Sequence, residues 1–317
     1  MRVTNGHPLQ TATAGRENMA RSVTVQAPAT SANMGPGFDC LGIALDIWNT
    51  VRVDTGATGF EIRGLGHDEL PTGPDNLVAR SFQLACEEAG QPAPDVRFTC
   101  TNEIPLGRGL GSSSAAAVAG IVAANELLGR PLDDVSVLAI ASRIEGHPDN
   151  SAAALYGGCQ VVVHDGDRLI TSTVSIPERL SAVLFVPDMP MPTAEARSVL
   201  PTDISVQDAV FNMGRVGLLV NALATGDLDR LAVATQDRLH QPPRQQIFHP
   251  MKVIMRAALD AGAHGAFLSG AGSTILALSS SREMTIGYEM AEAASKAGVD
   301  GDVIVTKPTT GGVRVLG

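Results

Sequence analysis

The sequence predicts an α+β fold with two domains. Helical and extended segments interleave along the chain without the regular strand–helix–strand spacing of a doubly wound sheet. The 317 residues exceed the length of a typical single domain, so each half can bury a core of its own. The character of the sequence changes near residue 178. We therefore expect a loose N-terminal tail over 1–20, an N-terminal domain over 21–178 and a C-terminal domain over 179–317.

The first half begins, from residue 21, with an alternating strand, a loop rich in proline and glycine, and a second extended segment that ends in the alternating Val51 and Val53. Apolar spacing then predicts a helix over 75–90 and alternation predicts a strand over 95–104. The remaining segments of this half are a helix that ends near Leu128, a helix over 132–146, a loop over 147–158 and a strand over 159–164.

The second half mixes the same two element types. Its pattern predicts the following order: a strand over 181–186, helices over 206–225, 227–239 and 250–261, two strands around 268–274, a helix over 283–297, and terminal strands.

Composition excludes several classes of function. A formal net charge of −10 argues against a nucleic-acid partner, because no broad positive surface can form. No apolar stretch approaches the ~18 residues of a membrane span, and the first twenty residues lack the apolar segment of a signal peptide. These twenty residues are interpreted as a loose tail, and Met19 is an alternative start. The four cysteines form no metal-binding or redox motif, which predicts reduced thiols in a cytoplasmic protein.

The most informative stretch is "EIPLGRGLGSSSAAAVAGIVAANELLG" at 103–129. Gly107, Gly109 and Gly111 alternate before three serines, and glycine permits the close backbone approach that a phosphate needs. The helix that follows would direct its unpaired amides and its dipole at an anion. The spacing fits neither a Walker A loop, which needs a lysine, nor a dinucleotide-binding fingerprint. On these residues alone, a flexible turn before a core helix remains an alternative.

Three motifs together resemble the GHMP kinases. "PLGRGLGSSSA" at 105–115 matches the central motif of that family. "APATSANMGPGFD" at 27–39 and "LSGAGST" at 268–274 match its other two motifs, in the same order along the chain. The resemblance covers nearly everything after residue 21. It implies a ribosomal-protein-S5-domain-2-like N-terminal domain and a ferredoxin-like C-terminal domain.

Four local features resemble the branch of this family that phosphorylates homoserine: residues 28–45, "RIEGHPDNSAAALYGG" at 143–158, "PTAEARSVLP" at 192–201 and "HQPPR" at 240–244. This resemblance implies transfer of phosphate from ATP to L-homoserine in threonine biosynthesis. Homoserine carries an ammonium, a carboxylate and a hydroxyl. Its site therefore needs arginines, whose guanidinium forks can hold a carboxylate through two hydrogen bonds, together with acidic and amide groups.

Transferred to the matched positions, the resemblance implies three sets of residues. ATP is expected at Pro105, Leu106, Gly107, Arg108, Gly109, Leu110, Gly111, Ser112, Ser113, Ser114 and Ala115. Mg²⁺ is expected at Ser113 and Glu145, because phosphoryl transfer needs the phosphate charge neutralised. Homoserine is expected at Asn33, Asp39, His147, Asp149, Asn150, Thr193, Arg197, Arg244 and Gly270. Of these, Asn33, Asp39 and Asn150 are the expected catalytic residues.

Several points stay open at the sequence level. Asp39 and Asp149 are the candidates for a general base, but positioning without a base is an equally good hypothesis. Arg108 is interpreted as pointing to water, since the loop amides already suffice for phosphate. The alternatives are another GHMP kinase, acting on mevalonate, a sugar or shikimate, and a catalytically silent paralogue. The resemblance also implies a homodimer.

Three departures from the family pattern bear on local packing. Ser273 and Ala153 stand where proline is usual, and Pro243 stands where an aromatic residue is common. Since the loop amides are kept, we expect the first two to change rigidity rather than chemistry. The third leaves the packing around Arg244 open.

Overall fold

The computed structural model describes residues 21–316, so the predicted tail over 1–20 and the alternative start at Met19 lie outside the described residues. The strands are Ser22–Asn33 (β1), Gly37–Thr55 (β2), Gly59–Gly64 (β3), Val96–Asn102 (β4), Cys159–Asp165 (β5), Arg168–Val174 (β6), Ser181–Pro187 (β7), Gly265–Leu268 (β8), Ile275–Ser279 (β9), Gly301–Thr306 (β10) and Arg314–Leu316 (β11).

The helices are Leu77–Glu88 (α1), Ser112–Leu127 (α2), Asp134–Glu145 (α3), Asp149–Tyr156 (α4), Thr193–Ser198 (α5), Val206–Thr225 (α6), Leu231–Ala234 (α7), Gln241–Arg244 (α8), Met251–Asp260 (α9) and Glu283–Lys296 (α10), with a 3-10 turn at Leu228–Arg230. No helix within 21–316 combines the length and the apolar character that crossing a bilayer requires.

The strands form two sheets. The first has the order β11-β1-β2-β4-β3, with the β5–β6 hairpin attached to β2, and the second has the order β10-β7-β9-β8. Pairing is antiparallel except between β3 and β4. The predicted α+β class is confirmed. A boundary at residue 178 would fall between β6 and β7, while β11, from the end of the chain, pairs with β1 in the first sheet.

Helix α2 is the centre of the first domain because it is made of small residues. Its alanines at 115, 117, 119, 123 and 124 are fully buried, so the helix is surrounded by protein. A side chain at Gly120 would come within 2.5 Å of the Val78 carbonyl oxygen, which shows how closely α1 approaches. This packing fixes the N-terminal end of α2 relative to the sheet.

The second sheet has its own core, in which α9 and α10 pack against β7 and β9. Helix α9 has a polar face and an apolar face, and the apolar side chains of Met251 and Ile254 are buried. The opposite face of this sheet, which includes Leu184 and Leu276, belongs to the larger apolar cluster of the first sheet. The described residues therefore contain two apolar clusters, and the larger one includes residues from both sides of position 178.

Two sequence predictions are wrong. Residues 149–156, expected as a loop, form α4, because three successive alanines favour a helix and pack against β1 and β2. The helix expected over 227–239 ends at Ala234. The Asp237 carboxylate there accepts hydrogen bonds from the backbone amides of residues 239, 240 and 241, which competes with continued helix. Four short elements, β3, β6, α5 and α8, were not predicted.

Candidate active site

One cavity of about 410 Å³ is lined by both domains. Its wall comes from the β1–β2 turn, the glycine loop before α2, the α3–α4 connection, α5, α8 and the turn between β8 and β9. All of the predicted site residues line it except Arg108, Ser114 and Ala115. The fold therefore brings together segments that are far apart in sequence.

The glycine loop takes the backbone conformation that its sequence predicts. Gly107, Gly109 and Gly111 have φ values of 62°, 75° and 67°, in the left-handed region that side chains disfavour. A β-carbon on Gly109 would also overlap the carbonyl oxygen of Ser269, and one on Gly111 would overlap the Thr30 hydroxyl. The loop thus leads directly into α2, whose first-turn amides face the cavity with no side-chain cap. This is an anion-binding arrangement.

The Arg108 side chain points neither to water, as interpreted from sequence, nor into the cavity. Its Nε donates to the Pro187 carbonyl at 2.7 Å and its Nη1 to the Leu106 carbonyl at 2.9 Å, while Nη2 donates to Asp188. Pro187 is the last residue of β7. Arg108 therefore ties the glycine loop to the second sheet.

A carboxylate meets two serine hydroxyls at the start of α2. Glu145, the last residue of α3, accepts hydrogen bonds from Ser113 Oγ and Ser114 Oγ, both at 2.7 Å. Gly146 follows with φ at 81° and ends α3 at this point. The resulting group of hard oxygen donors beside the glycine loop is of the kind that Mg²⁺ prefers. Within 21–316 there is no cluster of three or more histidine, cysteine or acidic side chains suited to a metal.

Asp39 and Arg197 form an ion pair across the cavity. Both terminal nitrogens of Arg197, on α5, donate to the two carboxylate oxygens of Asp39, at 2.7 and 3.0 Å. The backbone amide of Asp39 donates to Asn33 Oδ1, and Asn33 Nδ2 donates to the Gly270 carbonyl oxygen at 2.8 Å. The end-on fork of Arg197 is thus occupied by Asp39. Its side edge, formed by Nε and the second hydrogen of Nη2, stays available to a ligand.

Arg244 is almost completely buried, at 1% exposure. Its Nε donates to the Ala196 carbonyl and its Nη1 to the Gly270 carbonyl and to His240. Burial, with the nearby charge of Arg197, lowers the pKa of Arg244 to about 10, so it stays charged at neutral pH. Phe38, which the sequence analysis overlooked, places its ring 5.6 Å from the Arg244 guanidinium carbon and 5.3 Å from that of Arg197. The aromatic contact to Arg244 therefore comes from Phe38, on β2, and not from position 243, which is a proline.

His147, Asp149 and Asn150 form a hydrogen-bonded group at the start of α4. Asp149 Oδ1 lies 2.8 Å from His147 Nδ1 and accepts the Asn150 amide at 2.7 Å. Burial lowers the pKa of His147, but the Asp149 carboxylate outweighs it, and the net pKa is raised. Asn150 lines the cavity; its Oδ1 accepts from the buried Thr30 hydroxyl at 2.7 Å, and its Nδ2 makes a long contact of 3.5 Å with Asp149 Oδ1.

The far end of the cavity carried no recognisable sequence motif. It is lined by apolar side chains, among them Ile62, Leu70 and Leu77, and by the polar Asn76 and Asn102. Asn49 lies at the bottom of this end of the cavity. Its Oδ1 accepts hydrogen bonds from the backbone amides of residues 103 and 104, immediately before the glycine loop. An apolar pocket with a few amide groups beside a phosphate loop suits the flat base of a nucleotide.

Comparison with known families and proteins agrees with this geometry. Residues 76–158 match the family described as GHMP kinases N terminal domain, and residues 219–296 match GHMP kinases C terminal. The chain is 40% identical over 290 residues to the homoserine kinase of Microchaete diplosiphon, covering 90% of this chain and 94% of that protein. It is 44% identical over 291 residues to that of Deinococcus radiodurans, with the same two coverages.

Solved structures show the same architecture. The homoserine kinase of Cytophaga hutchinsonii is 34% identical, with a TM-score of 0.84 over 93% of this chain and 97% of that one. A mevalonate kinase of L. major in complex with R-mevalonate is 18% identical, with a TM-score of 0.65 over 89% of this chain and 95% of that one, and shares the fold alone.

Proposed function

Because this chain belongs to the GHMP kinase family, we propose that it transfers the γ-phosphoryl group of ATP to the hydroxyl of L-homoserine, giving O-phospho-L-homoserine for threonine biosynthesis. The observation that carries the proposal is the single cavity. Its wall contains a glycine loop at a helix N-terminus and, on the opposite side, two arginines with a carboxylate. A polyphosphate and a zwitterionic amino acid thus have complementary surfaces within one space.

We assign the triphosphate to the loop over 105–113 and the amides at the start of α2, and the base to the apolar end of the cavity. The side chains of Arg108, Ser114 and Ala115 lie outside the cavity wall and support the loop from behind. This assignment is supported by the left-handed glycines, which leave the loop amides without side-chain cover.

We assign the homoserine carboxylate to Arg244 Nη2 and the side edge of Arg197, and its ammonium to Asp39. Asn33, Gly270, Thr193 and His147 complete the wall around it. The ammonium group of homoserine and the Arg197 guanidinium would then both bind the Asp39 carboxylate. The negative charge between these two positive groups reduces their repulsion.

In the reaction the homoserine hydroxyl oxygen forms a bond to the γ-phosphorus as the bond to the β,γ-bridging oxygen breaks, and ADP leaves. We assign Asn150 Nδ2 as a donor to a phosphoryl oxygen, since Thr30 holds the other side of that amide and the contact of Nδ2 with Asp149 Oδ1, at 3.5 Å, is long. Asp39 is paired with Arg197, and Asp149 Oδ1 is taken by His147 and Asn150. This pairing supports positioning over a dedicated general base, with the hydroxyl proton passing to a phosphoryl oxygen or to solvent as the transfer proceeds.

The Ser113 and Glu145 oxygens fit a Mg²⁺ ion, which we propose they hold together with phosphate oxygens and water. When bound, this ion would neutralise charge on the β and γ phosphates. The Ser113–Glu145 hydrogen bond keeps the two oxygens adjacent in its absence. A readout independent of turnover is Mg²⁺-dependent stabilisation of the protein with ADP, which Glu145→Gln should weaken.

The acceptor is tested by measuring ADP release with homoserine, mevalonate, galactose and shikimate. Only homoserine should respond, and ³¹P NMR should show a phosphomonoester product. A response to another acceptor in its place would overturn the assignment, and nucleotide binding without turnover on any acceptor would indicate a silent paralogue. For the Glu145→Gln variant, the matched control is Glu283→Gln, which removes the same charge on α10, outside the cavity wall.

We also propose that the chain works as a homodimer in the cytoplasm, as the resemblance to its family implies. Light scattering after size-exclusion chromatography tests the oligomeric state, and a single monomeric mass at micromolar protein concentration would refute the homodimer.

A further inference from the structure

His240 is a buried residue that the proposed reaction does not use. It is 0% exposed and lies immediately before α8, in the "HQPPR" segment. Its ring stacks on that of Phe38, with 5.4 Å between the centroids. The imidazole thus lies between the β1–β2 turn and the helix that carries Arg244.

Hydrogen bonding defines the state of this ring. Nε2 lies 2.7 Å from the Gly35 carbonyl oxygen and Nδ1 lies 2.9 Å from Arg244 Nη1. A carbonyl oxygen only accepts and a guanidinium only donates. The neutral tautomer with its proton on Nε2 is therefore the one form that satisfies both partners.

The charges around the ring agree with that form. Burial lowers the pKa of His240 to about 4, and Arg244 acts in the same direction, against the carboxylates of Asp237 and Asp39 and the Gly35 carbonyl. Asp237, itself buried, directs its oxygens to backbone amides, including that of His240. The ring is thus neutral throughout the physiological range.

This contact determines how Arg244 faces the cavity. The two Nη1 hydrogens go to His240 and to the Gly270 carbonyl oxygen, and Nε donates to Ala196. Among residues 21–316, Nη2 has no hydrogen-bond partner. Arg244 therefore offers one nitrogen to a ligand rather than a fork, and its three acceptors fix the direction of that nitrogen.

The other contact holds the β1–β2 turn. Gly35 has φ at 86°, and a β-carbon there would overlap the backbone of Thr235, so the turn fits closely against the C-terminal domain. The same turn region carries Asn33, whose Nδ2 shares the Gly270 carbonyl oxygen with Arg244. The β1–β2 turn and Arg244, on the two sides of the amino-acid pocket, thus both contact His240 and both donate to the Gly270 carbonyl oxygen.

We propose that His240 is a positioning residue that holds Arg244 and the β1–β2 turn in a single arrangement, so that the carboxylate and the amino group of the acceptor are recognised together. The inference rests on the proposed function, because it takes homoserine as the acceptor.

Two substitutions separate the two hydrogen bonds. In His240→Asn the side-chain oxygen can replace Nδ1 and keep the Arg244 contact, whereas in His240→Gln the longer amide can replace Nε2 and keep the Gly35 contact. The probe is 3-amino-1-propanol, which is homoserine without its carboxylate. His249→Gln, an exposed histidine away from the cavity, is the matched control.

We expect His240→Gln to lower the preference for homoserine over 3-amino-1-propanol, measured as the ratio of kcat/KM values, by about tenfold, because a hydrogen bond to a charged group is lost. His240→Asn should retain that preference while KM for both acceptors rises. KM for ATP should stay within about twofold in both variants. Equal losses on the two acceptors in His240→Gln, or a parallel rise in KM for ATP, would show a general structural role and overturn the proposal.

The state of the ring can be measured on the unmodified protein, which covers the case that the variants do not fold. With ¹⁵N-labelled histidine, one of the seven rings should keep the neutral Nε2–H form down to about pH 5. Protonation of all seven rings by that pH would refute the proposal. An absence of homoserine phosphorylation in the unmodified protein would instead refute the proposed function, whatever the ring signals show.

Discussion

Gly109→Ala tests whether the close contact between the glycine loop and the second domain sets the affinity for ATP. The residue has φ at 75°, and an added β-carbon would overlap the Ser269 carbonyl oxygen and lie 2.9 Å from Gly272 N. These neighbours are backbone atoms, so they cannot yield by rotating a side chain. The loop, or the turn over 269–272, must move instead.

The expected cost has two parts. Alanine in the left-handed region costs about 1–2 kcal/mol, and overpacking against fixed atoms adds about 1–3 kcal/mol. Gly129→Ala provides the matched control, because Gly129 has φ at 85° but nothing within 4 Å of an added β-carbon. The two variants should therefore differ by about 1–3 kcal/mol in the free energy of unfolding, or several degrees in Tm.

The assay measures Tm and KM for ATP in both variants. Gly109→Ala should raise KM for ATP at least about tenfold, the equivalent of about 1.4 kcal/mol, while Gly129→Ala leaves it unchanged. If the two substitutions lower Tm by the same amount and leave KM for ATP unchanged, the loop tolerates displacement and the reasoning fails.

Four further outcomes are expected. Glu145→Gln should depress kcat strongly and raise the Mg²⁺ concentration needed for half-maximal rate; an unchanged Mg²⁺ dependence would remove it from the metal site. Asp39→Asn and Asp149→Asn should each raise KM for homoserine and keep kcat within about tenfold, whereas a loss of about 100-fold in kcat would identify a general base. Arg197→Ala should raise KM for homoserine far more than for ATP, and equal effects would indicate folding damage. Because the pKa of His147 is raised on folding, the stability that its protonated ring contributes is present at low pH and is lost as pH rises through the pKa of the folded protein. His147→Asn should therefore reduce the dependence of Tm on pH in that range, and an unchanged slope of Tm against pH would contradict the prediction.

Local signals in the sequence predicted much of the fold. Helix α3 begins where Asp133 accepts a hydrogen bond from the Ser136 amide and ends at the left-handed Gly146. The alternation of the first strand and the glycine spacing of the loop act over a few residues, so they are visible in sequence. By contrast, α4 lies between a proline-containing turn and two glycines, and its short alanine segment favours a helix only weakly until it packs against the sheet.

Other features of the site depend on distant contacts and were not predictable. Asp39 and Arg197 are 158 residues apart, and nothing near either one indicates that the arginine's end-on fork is occupied by the aspartate. The direction of Arg108 depends on carbonyls at the end of β7, about 80 residues away. The apolar end of the cavity is assembled from β3, β4 and the segment before α1, none of which carries a motif.

The return of β11 to the first sheet has a consequence for biosynthesis of the chain. Thr24 pairs with Leu316, so the two residues are separated by 316 − 24 = 292 positions in sequence. During translation this sheet cannot be completed until residue 316 has left the ribosome. The first domain to emerge is therefore the last to be finished. Until β11 pairs with it, the open edge of β1 is exposed to other chains, and a chaperone that binds nascent chains would be of most use there.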